Sequence, residues 1–235
     1  MNEPGNKTIQ ENEAKESAKP VVSPAVIRRL PRYFRYLREL LRQGKLRISS
    51  GELSSLMNIT ASQIRQDLNC FGGFGQQGYG YNVNYLYAKI SEILGVGAGL
   101  RAVIIGIGDL GRALVRTTMF EKRGVDIVGL FDISPSLVGT QWGDLTITHV
   151  DTLERFCEQN AVDFAVLTVP KSEAGAIADR LSDVGVRGIW NFTGAELPAL
   201  PGGTIVENVH LGDSLMILNY KLCVDKMQAT DANEE

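Results

Sequence analysis

The sequence predicts an α/β protein in which a small helical domain precedes a parallel, doubly wound sheet. Three observations predict it. Residues 25–90 contain 10 Lys and Arg against 3 Asp and Glu, a net charge of +7, whereas residues 91–235 contain 11 against 20, a net charge of −9. The apolar pattern changes from helical spacing to short strand-like runs that alternate with helices. Glycine occupies three alternate positions, Gly95, Gly97 and Gly99, near the point where the charge changes sign.

Composition restricts the class of protein. The chain of 235 residues is 44% apolar and 22% charged, which fits a globular protein of two domains. No apolar run reaches the roughly 18 residues of a membrane span, and the polar first 24 residues do not resemble a signal peptide. We therefore expect a cytoplasmic protein with no membrane partner. Cys70, Cys157 and Cys223 lie far apart without metal-ligand spacing, so we expect neither disulfides nor a metal site.

Domain boundaries follow from composition and from glycine. The two ends carry too few apolar groups to offset the entropy cost of ordering, and alternate glycines suit a hinge. The predicted divisions are a disordered tail (1–24), a first domain (25–94), a hinge (95–99), a second domain (100–210), a C-terminal dimerisation helix (211–227) and a second disordered tail (228–235).

The first domain opens with an amphipathic helix. We expect it to begin at Pro31, because proline lacks an N–H and suits a first helical turn, and to end at Gly44. One face carries arginine and the other is apolar. The apolar residues are Tyr33, Phe34, Leu37, Leu40 and Leu41, and the arginines are Arg32, Arg35 and Arg42.

Two short helices follow, each with its own start signal. Ser49 with Glu52 and Thr60 with Gln63 match the capping box, in which hydroxyl and N3 side chain satisfy each other's backbone donors. Residues 58–60 form the tight turn between them. A stretch punctuated by glycine at 72–82, with aromatics at Phe74, Tyr79 and Tyr81, predicts a β-hairpin. Helix, helix-turn-helix and hairpin together predict a winged helix.

The helix predicted at 61–69 has the composition of a recognition helix. Ile64 and Leu68 form its buried side, so its polar residues project oppositely, where Gln and Asn pair with base edges in the major groove. Flanking arginines would neutralise phosphates, and the hairpin tip would touch the minor groove. The alternatives are a solvated arginine face and a hairpin that only closes the core. The predicted contacts to double-stranded DNA are Arg32, Arg35, Arg47, Ser62, Gln63, Arg65, Gln66, Asn69, Gln76 and Gln77.

The second domain alternates strands with helices, which predicts a parallel sheet covered on both faces. The expected strands are 101–105, 126–131, 163–169, 188–192 and 204–209, and the expected helices are 110–120, 152–159 and 172–184. The last helix places a narrow apolar seam at Leu211, Leu215, Leu218 and Leu222. Such a seam predicts a partner helix.

A dinucleotide fingerprint opens the second domain. Gly106, Gly108 and Gly111 follow an apolar strand and open a helix, and Asp132 stands at the end of the next strand. A carboxylate there accepts from ribose hydroxyls and repels a 2′-phosphate, which favours NAD(H) over NADP(H). Asp109 would place a negative charge near the pyrophosphate unless it turns to solvent. The alternative is the same fold with an empty pocket.

Catalysis is not predicted. A dehydrogenase needs a proton donor or acceptor beside the nicotinamide. His149 and His210 are the chain's two histidines, and neither stands in a dehydrogenase motif. We therefore predict no enzyme activity. An NAD-dependent enzyme with a DNA tether remains an alternative, as does the same scaffold responding to coenzyme A or ADP.

Five segments, in the same order along the chain, resemble the Rex family of redox-sensing repressors. They are RISSGEL at 47–53, ITASQIRQDL at 59–68, FGGFGQQGYGYNV at 71–83, GIGDLGRAL at 106–114 and VENV at 206–209. The resemblance implies a homodimeric repressor that binds palindromic operators of fermentation and respiration genes and releases DNA when NADH binds. It also implies that the C-terminal helix is exchanged between protomers, and that NADH and NAD+ are the ligands.

The resemblance also assigns positions of the nucleotide site. Those that match the adenosine-diphosphate half are Gly106, Ile107, Gly108, Asp109, Leu110, Gly111 and Asp132, and those that match the remainder are Thr168, Val169, Pro170, Asn191 and Phe192. Departures from the family pattern are Gln76 and Gln77 where Lys or Arg is usual, Thr117 where an aromatic occurs, Thr193 and Gly194 in place of Ala-Pro, and His210 where Asp is common.

Overall fold

The structure, a computed structural model, describes residues 22–71, 75–76 and 80–231. The chain folds into two compact units whose boundary falls between Val96 and Gly97, inside the glycine-rich segment. Most of the predicted first tail lies outside the described residues.

The first unit is a winged helix, as the sequence predicts. Its elements are α1 (Pro24–Arg42), β1 (Arg47–Ile48), α2 (Ser50–Met57), α3 (Ala61–Asn69), β2 (Gly75–Gln76), β3 (Gly80–Asn82) and α4 (Val83–Ile93). Within the described residues the strands form an antiparallel sheet in the order β1-β3-β2. β1 and α4 were not predicted. α4 packs on α1, where the rings of Phe34 and Tyr87 stack with centroids 4.9 Å apart.

The predicted start of α1 is wrong by seven residues. The helix begins at Pro24 after the N-cap Ser23, and Pro31 lies inside it. Either proline satisfies the rule for a first turn, and the apolar face continues upstream of Pro31 through the buried Val26 and Leu30. Packing of these side chains offsets the backbone hydrogen bond that Pro31 cannot donate. The predicted end of α1 is confirmed: the helix ends at Arg42, and Gly44 follows with φ +72°.

One of the two predicted capping boxes is complete. At α2, Ser49 Oγ accepts from the Glu52 N–H, and Glu52 accepts from the Ser49 N–H. At α3, Thr60 Oγ1 accepts from the Gln63 N–H, but the Gln63 side chain bonds elsewhere. The turn between the two helices passes through Asn58, whose φ is +50°.

The second unit is the predicted doubly wound sheet. Its elements are β4 (Leu100–Ile105), α5 (Asp109–Val115), β5 (Val125–Asp132), β6 (Gln141–Trp142), β7 (Leu145–His149), α6 (Leu153–Gln159), β8 (Phe164–Leu167), α7 (Ala174–Asp183), β9 (Gly188–Asn191), β10 (Ile205–Asn208) and α8 (Leu211–Asp231). The strand order is β10-β9-β8-β4-β5-β7-β6, and every neighbouring pair is parallel except β6 with β7.

This order places a crevice at the carboxyl end of β4. The chain runs outward from β4 through β5 and β7, and then returns to add β8, β9 and β10 on the other side. Ligands of open α/β sheets bind at such a reversal. Apolar clusters cover both faces of the sheet, one around Val103 and Leu167, the other around Ile104 and Leu130.

Two local predictions differ from the structure. α5 ends at Val115, not at residue 120, because the Thr117 N–H and hydroxyl both bond to the Leu114 carbonyl and close the last turn. β6 and β7 were not predicted. β7 is short and buries one side chain fully, Ile147, so its apolar signal is weak.

The predicted apolar seam describes only part of α8. Met216, Ile217 and Tyr220 are as exposed as the predicted leucines, at 63%, 56% and 71%. The helix also continues to Asp231, past the predicted end at residue 227. Among the described residues, no helix combines the length and hydropathy needed to cross a lipid bilayer.

Candidate nucleotide site and nucleic-acid interface

Two of the three glycines in the loop between β4 and α5 stand where no other residue fits. Gly106 has φ +92°, and a Cβ there would lie 2.8 Å from the Thr168 carbonyl oxygen. A Cβ on Gly111 would lie 2.0 Å from the Gly106 carbonyl oxygen, so this position lets α5 pack against the strand. Gly108 faces open space and leaves bare backbone at the N-cap of α5. Tight turn, exposed backbone and close packing are what a pyrophosphate loop requires.

Asp132, the last residue of β5, supports this loop. Its Oδ2 accepts from the Ile107 N–H at 2.6 Å, and its Oδ1 accepts from the Ser134 N–H at 2.8 Å. Each carboxylate oxygen retains acceptor capacity, and the side chain lines the cavity at the sheet edge. The carboxylate is therefore fixed by backbone donors and still available to hydroxyl groups.

The other loop residues face away from this edge. Asp109 is fully exposed and accepts from Arg112 Nη2 at 2.8 Å, so its charge is turned to solvent and paired. Ile107 is buried in the core, and Leu110 packs against the same cluster. These two side chains support the loop from behind.

A cavity of about 730 Å³ opens at the carboxyl ends of β4, β5 and β8. It is mostly apolar, with α7 forming one wall. Of the predicted residues, Gly106, Gly108, Asp132, Thr168, Val169 and Pro170 line it. The sequence did not predict Ile105, Ile133, Val150, Glu173, Ala176, Ile177 and Arg180, which also line it.

Thr168 connects β8 to the glycine loop. Its hydroxyl donates to the Gly106 carbonyl at 2.6 Å, and it also lies 3.1 Å from the Ile105 carbonyl. The loop is thus held from two sides, by Thr168 and by Asp132. This leaves the backbone of the loop preorganised for a ligand.

Arg180 is a charged residue in the cavity wall, and its charge is already paired with Glu154. Its Nη2 donates to Glu154 Oε2 and to the Val150 carbonyl, both at 2.9 Å, and its Nε donates to Glu154 Oε1. The hydrogen bond from Arg180 lowers the pKa of Glu154, and the same bond raises the pKa of Arg180. No local sequence signal distinguishes this arginine from other helix-surface arginines.

Asn191 and Phe192 do not line this cavity. The Asn191 Nδ2 donates to the Ala195 carbonyl at 2.7 Å and to Asn208 Oδ1 at 2.8 Å, and its Oδ1 accepts from Thr193. Phe192 lies against Trp190 with ring centroids 4.6 Å apart. Asn191 therefore shapes the turn after β9, and Phe192 packs against the strand itself.

A chain of polar contacts leads from this turn to the start of α8. Asn191 donates to Asn208, and Asn208 Nδ2 lies 3.3 Å from Glu196 Oε2. Glu196 Oε1 in turn lies 3.0 Å from His210 Nε2. His210 directly precedes Leu211, so the departure from the family pattern at this position lies beside the first turn of α8.

The exposed face of α3 carries most of the predicted base-reading residues. Ser62, Gln66 and Asn69 are exposed there, as is Arg65, whose Nη1 donates to Ser50 Oγ at 3.1 Å. Gln63 differs from them because its Nε2 donates to Asp67 Oδ1 at 2.8 Å. Asp67 is a buried carboxylate that no pattern in the sequence predicts.

The predicted phosphate contacts divide into two kinds. Arg35, Arg42 and Arg47 are exposed, and Arg42 is loosely paired with Glu39 at 3.7 Å. Arg32 is half-buried, and its Nη2 donates to the Met57 carbonyl, which caps the end of α2. Of the wing positions, Gln77 and the side chain of Gln76 lie outside what the structure describes.

Comparison with known proteins covers both units. A family model described as "Putative DNA-binding protein N-terminus" matches residues 21–69, and one described as "CoA binding domain" matches residues 97–195. A Thermoanaerobacter sp. (strain X514) protein named "Redox-sensing transcriptional repressor Rex" is 52% identical over 206 residues. That match covers 88% of this chain and 92% of the relative.

Two solved structures are also similar to this chain. One, of RSP in complex with beta-NAD+ and operator DNA, has 49% identity and a TM-score of 0.82, and the match covers 92% of this chain and 99% of that one. The other, of RSP in complex with beta-NADH, has 47% identity and a TM-score of 0.83, covering 89% and 98%. Since relatives near 50% identity extend over most of its length, the chain belongs to the Rex family of redox-sensing transcriptional repressors.

Proposed function

We propose that this protein is a DNA-binding transcriptional repressor that senses the NADH/NAD+ ratio. It binds palindromic operators when NADH is low and releases them when NADH binds. The observation that carries the proposal is the combination, in one chain, of a glycine loop with its Asp132 support and a winged helix with a polar, exposed α3 face. Membership of the Rex family supports the same conclusion.

The adenosine-diphosphate half of NAD(H) fits the residues of the cavity. Bare backbone at Gly108 suits the pyrophosphate, and Asp132 suits the ribose hydroxyls. The apolar side chains of Ile133, Val150 and Ile177 offer a surface for the adenine ring. A 2′-phosphate would meet the Asp132 carboxylate, and Arg180 is already paired with Glu154, so we propose NAD(H) rather than NADP(H).

Redox sensing must arise at the nicotinamide. NADH and NAD+ share the adenosine-diphosphate half, and they differ by one positive charge and by the planarity of the nicotinamide ring. We propose that the nicotinamide lies past Thr168, beyond the residues that line the cavity and toward the turn that carries Asn191 and His210, and that this end of the site favours the reduced form. The bound nucleotide supplies no chemistry here; its binding energy alone is used.

We propose a homodimer as the operator-binding form. A two-fold dimer presents two α3 helices about one turn of DNA apart, roughly 34 Å, which matches a palindromic operator. The exposed apolar side chains of α8 supply a surface for a second copy. NADH would then change the angle between protomers and separate the two α3 helices from their half-sites.

A different nucleotide effector is the second candidate. The match of residues 97–195 to a CoA binding domain favours coenzyme A, or the ADP that it shares with NAD(H). An enzyme is the weaker alternative. His149 pairs with Asp151 and His210 with Glu196, and neither histidine lines the cavity.

The test is fluorescence anisotropy on a labelled palindromic operator, with NADH, NAD+, ADP and coenzyme A titrated separately at fixed salt. We expect NADH to raise the operator Kd at least tenfold, and NAD+ to have a much smaller effect. Operator affinity that saturating NADH leaves unchanged would overturn the proposal. Release by coenzyme A but not by NADH would establish the second candidate instead.

A further inference from the structure

The recognition helix α3 contains one buried charge. Asp67 is 0% exposed and lies among the apolar side chains of the winged-helix core. Arg29 of α1 meets it with both arms of its guanidinium, Nε to Oδ2 at 2.7 Å and Nη2 to Oδ1 at 2.6 Å. The Tyr33 hydroxyl donates to Oδ2 at 3.0 Å, and Gln63 Nε2 donates to Oδ1 at 2.8 Å. Each carboxylate oxygen therefore accepts two hydrogen bonds.

These bonds keep the carboxylate charged inside the core. Burial alone raises the pKa of Asp67, but the hydrogen bonds from Arg29, Gln63 and Tyr33 outweigh it and hold this pKa below its usual value. Burial, together with the bond to Asp67, raises the pKa of Tyr33. The network is thus an ionised pair, and neutral partners would not reproduce its geometry.

Stability alone does not explain such a pair. Apolar residues of similar volume often stabilise a core as well as a buried ion pair does, because removing two charges from water is unfavourable. The ion pair adds a directional constraint on the orientation of α3. Ile64 and Leu68 also attach α3 to the core, but apolar contacts are non-directional and permit rotation of the helix about its axis. The planar guanidinium of Arg29, which bonds to both oxygens of the Asp67 carboxylate, does not permit that rotation.

The orientation of α3 determines which side chains reach a base edge. Asp67 and Gln63 both belong to α3 and stand one turn apart, so the Gln63 bond holds the Asp67 carboxylate in place, while the bonds from Arg29 and Tyr33 connect that carboxylate to α1. Ser62, Gln66 and Asn69 lie on the exposed side. A small rotation of α3 would move these three side chains together and change their register with the base pairs.

We propose that Asp67 and Gln63 are positioning residues for operator recognition. Asp67 fixes the rotation of α3 through Arg29 and Tyr33 of α1, and Gln63 orients the Asp67 carboxylate toward these two residues instead of contacting a base edge. The inference rests on the proposed DNA-binding function. It revises the sequence-based assignment of Gln63, which follows from the polarity of the residue and its place on the recognition helix.

The experiment compares the full-length protein with Asp67→Asn, Gln63→Ala and the double variant, in the absence of nucleotide. Anisotropy gives the Kd for the operator and for a scrambled duplex of equal length at the same salt. We expect Asp67→Asn to raise the operator Kd at least tenfold and to change the scrambled-duplex Kd by less than twofold. Partial unfolding would instead raise both apparent Kd values by the same factor, because it removes active protein.

Gln63→Ala distinguishes positioning from base reading. We expect it to lower the ratio of operator to scrambled affinity without changing the order of preference among single-base operator variants. We also expect the double variant to bind no worse than Asp67→Asn, since both changes break one network. Arg29→Lys, which keeps the charge but loses the fork, should bind the operator better than Arg29→Gln.

Two results would overturn the inference. One is an operator-to-scrambled ratio that neither variant lowers, and the other is loss of discrimination at a single base pair in Gln63→Ala. If Asp67→Asn does not fold, Gln63→Ala tests the same network, because its side chain is half-exposed. A wild-type protein that binds operator and scrambled duplex equally would contradict the proposed function itself.

Discussion

At the scale of single residues, two aspartates beside the same loop behave differently because their surroundings differ. Asp132 accepts two backbone hydrogen bonds and lines the cavity, whereas Asp109 is fully exposed and paired with Arg112. The first charge is fixed where ribose hydroxyls are expected. The second is separated from the loop interior and compensated, so it does not oppose an anionic ligand.

We predict that Asp132→Ala blunts the NADH response and leaves operator binding without nucleotide intact. Loss of hydrogen bonds to a charged group costs about 1.5–3 kcal/mol, which corresponds to a rise of roughly 10- to 100-fold in the NADH Kd. NADH titration against a preformed protein–operator complex measures the effect. The matched control is Asp109→Ala, for which the release curve should shift by less than twofold. An unaltered curve for Asp132→Ala would place the ribose contact elsewhere.

Single residues were predictable where the backbone restricts the amino acid. The loop glycines leave a spacing that is visible in one sequence, because Gly106 and Gly111 admit no side chain. Arg180 leaves no such sign, since its place at the cavity wall depends on how α7 packs on the sheet. Asp67 was missed for a similar reason. Its partners on α1, Arg29 and Tyr33, are 38 and 34 residues away in the chain, and the local partner Gln63 does not by itself indicate burial.

At the scale of elements, α8 exposes an unusually large apolar surface to solvent. Large apolar side chains project around it, including Leu211, Leu215 and Leu218, each at least half exposed. Monomeric proteins rarely leave a continuous apolar surface of this kind uncovered. An apolar helix whose exposure is not confined to one stripe requires cover on several sides, more than a single neighbouring helix provides.

We predict that Leu218→Glu dissociates the proposed dimer. Burial of one leucine side chain contributes about 1.5–3 kcal/mol, and a two-fold interface counts it twice, so the dimer Kd should rise by roughly 100-fold or more. Sedimentation velocity over a concentration series measures the change. Asn219→Glu, which introduces the same charge one position along, is the control and should sediment like the wild type. Unchanged sedimentation of Leu218→Glu would exclude this surface as the interface.

Element prediction succeeded where two independent signals coincided. The start of α2 combines a hydroxyl N-cap with an N3 carboxylate, and both bonds form. The start of α1 depended on proline alone, and proline occurs twice, at Pro24 and Pro31. β6 has two residues, too few to show a pattern. α4 was missed although Asn82 caps its start and its buried residues Val83, Leu86 and Ile90 stand at helical spacing.

At the scale of the whole molecule, the two halves of the chain meet anions by different physical means. The first half has a net charge of +7 over residues 25–90, which attracts DNA at a distance. The second has a net charge of −9 over residues 91–235, so a nucleotide is held there by local donors and shape rather than by net charge. DNA affinity should therefore depend much more steeply on salt than NADH affinity does.

A single coupling free energy describes how NADH changes operator binding and how the operator changes NADH binding. Moving a two-state equilibrium from 1:99 to 99:1 takes about 5.5 kcal/mol of differential binding. NADH must therefore bind the released form far more tightly than the operator-bound form. Because this linkage is reciprocal, the operator must weaken NADH binding by the same factor by which NADH weakens operator binding.

We predict that this equality holds for the full-length protein. Isothermal titration of NADH into the protein alone, and into the protein saturated with operator, gives the factor by which the operator weakens NADH binding. Anisotropy of the operator with and without saturating NADH gives the factor by which NADH weakens operator binding. The two factors should agree within about twofold at the same salt, and a scrambled duplex should leave NADH affinity nearly unchanged. Direct competition for a shared surface would instead abolish binding in the ternary mixture, with no plateau at saturating operator. A measurable plateau therefore separates coupling through conformation from simple exclusion, and its absence would contradict a mechanism in which NADH acts from the sheet edge on the angle between protomers.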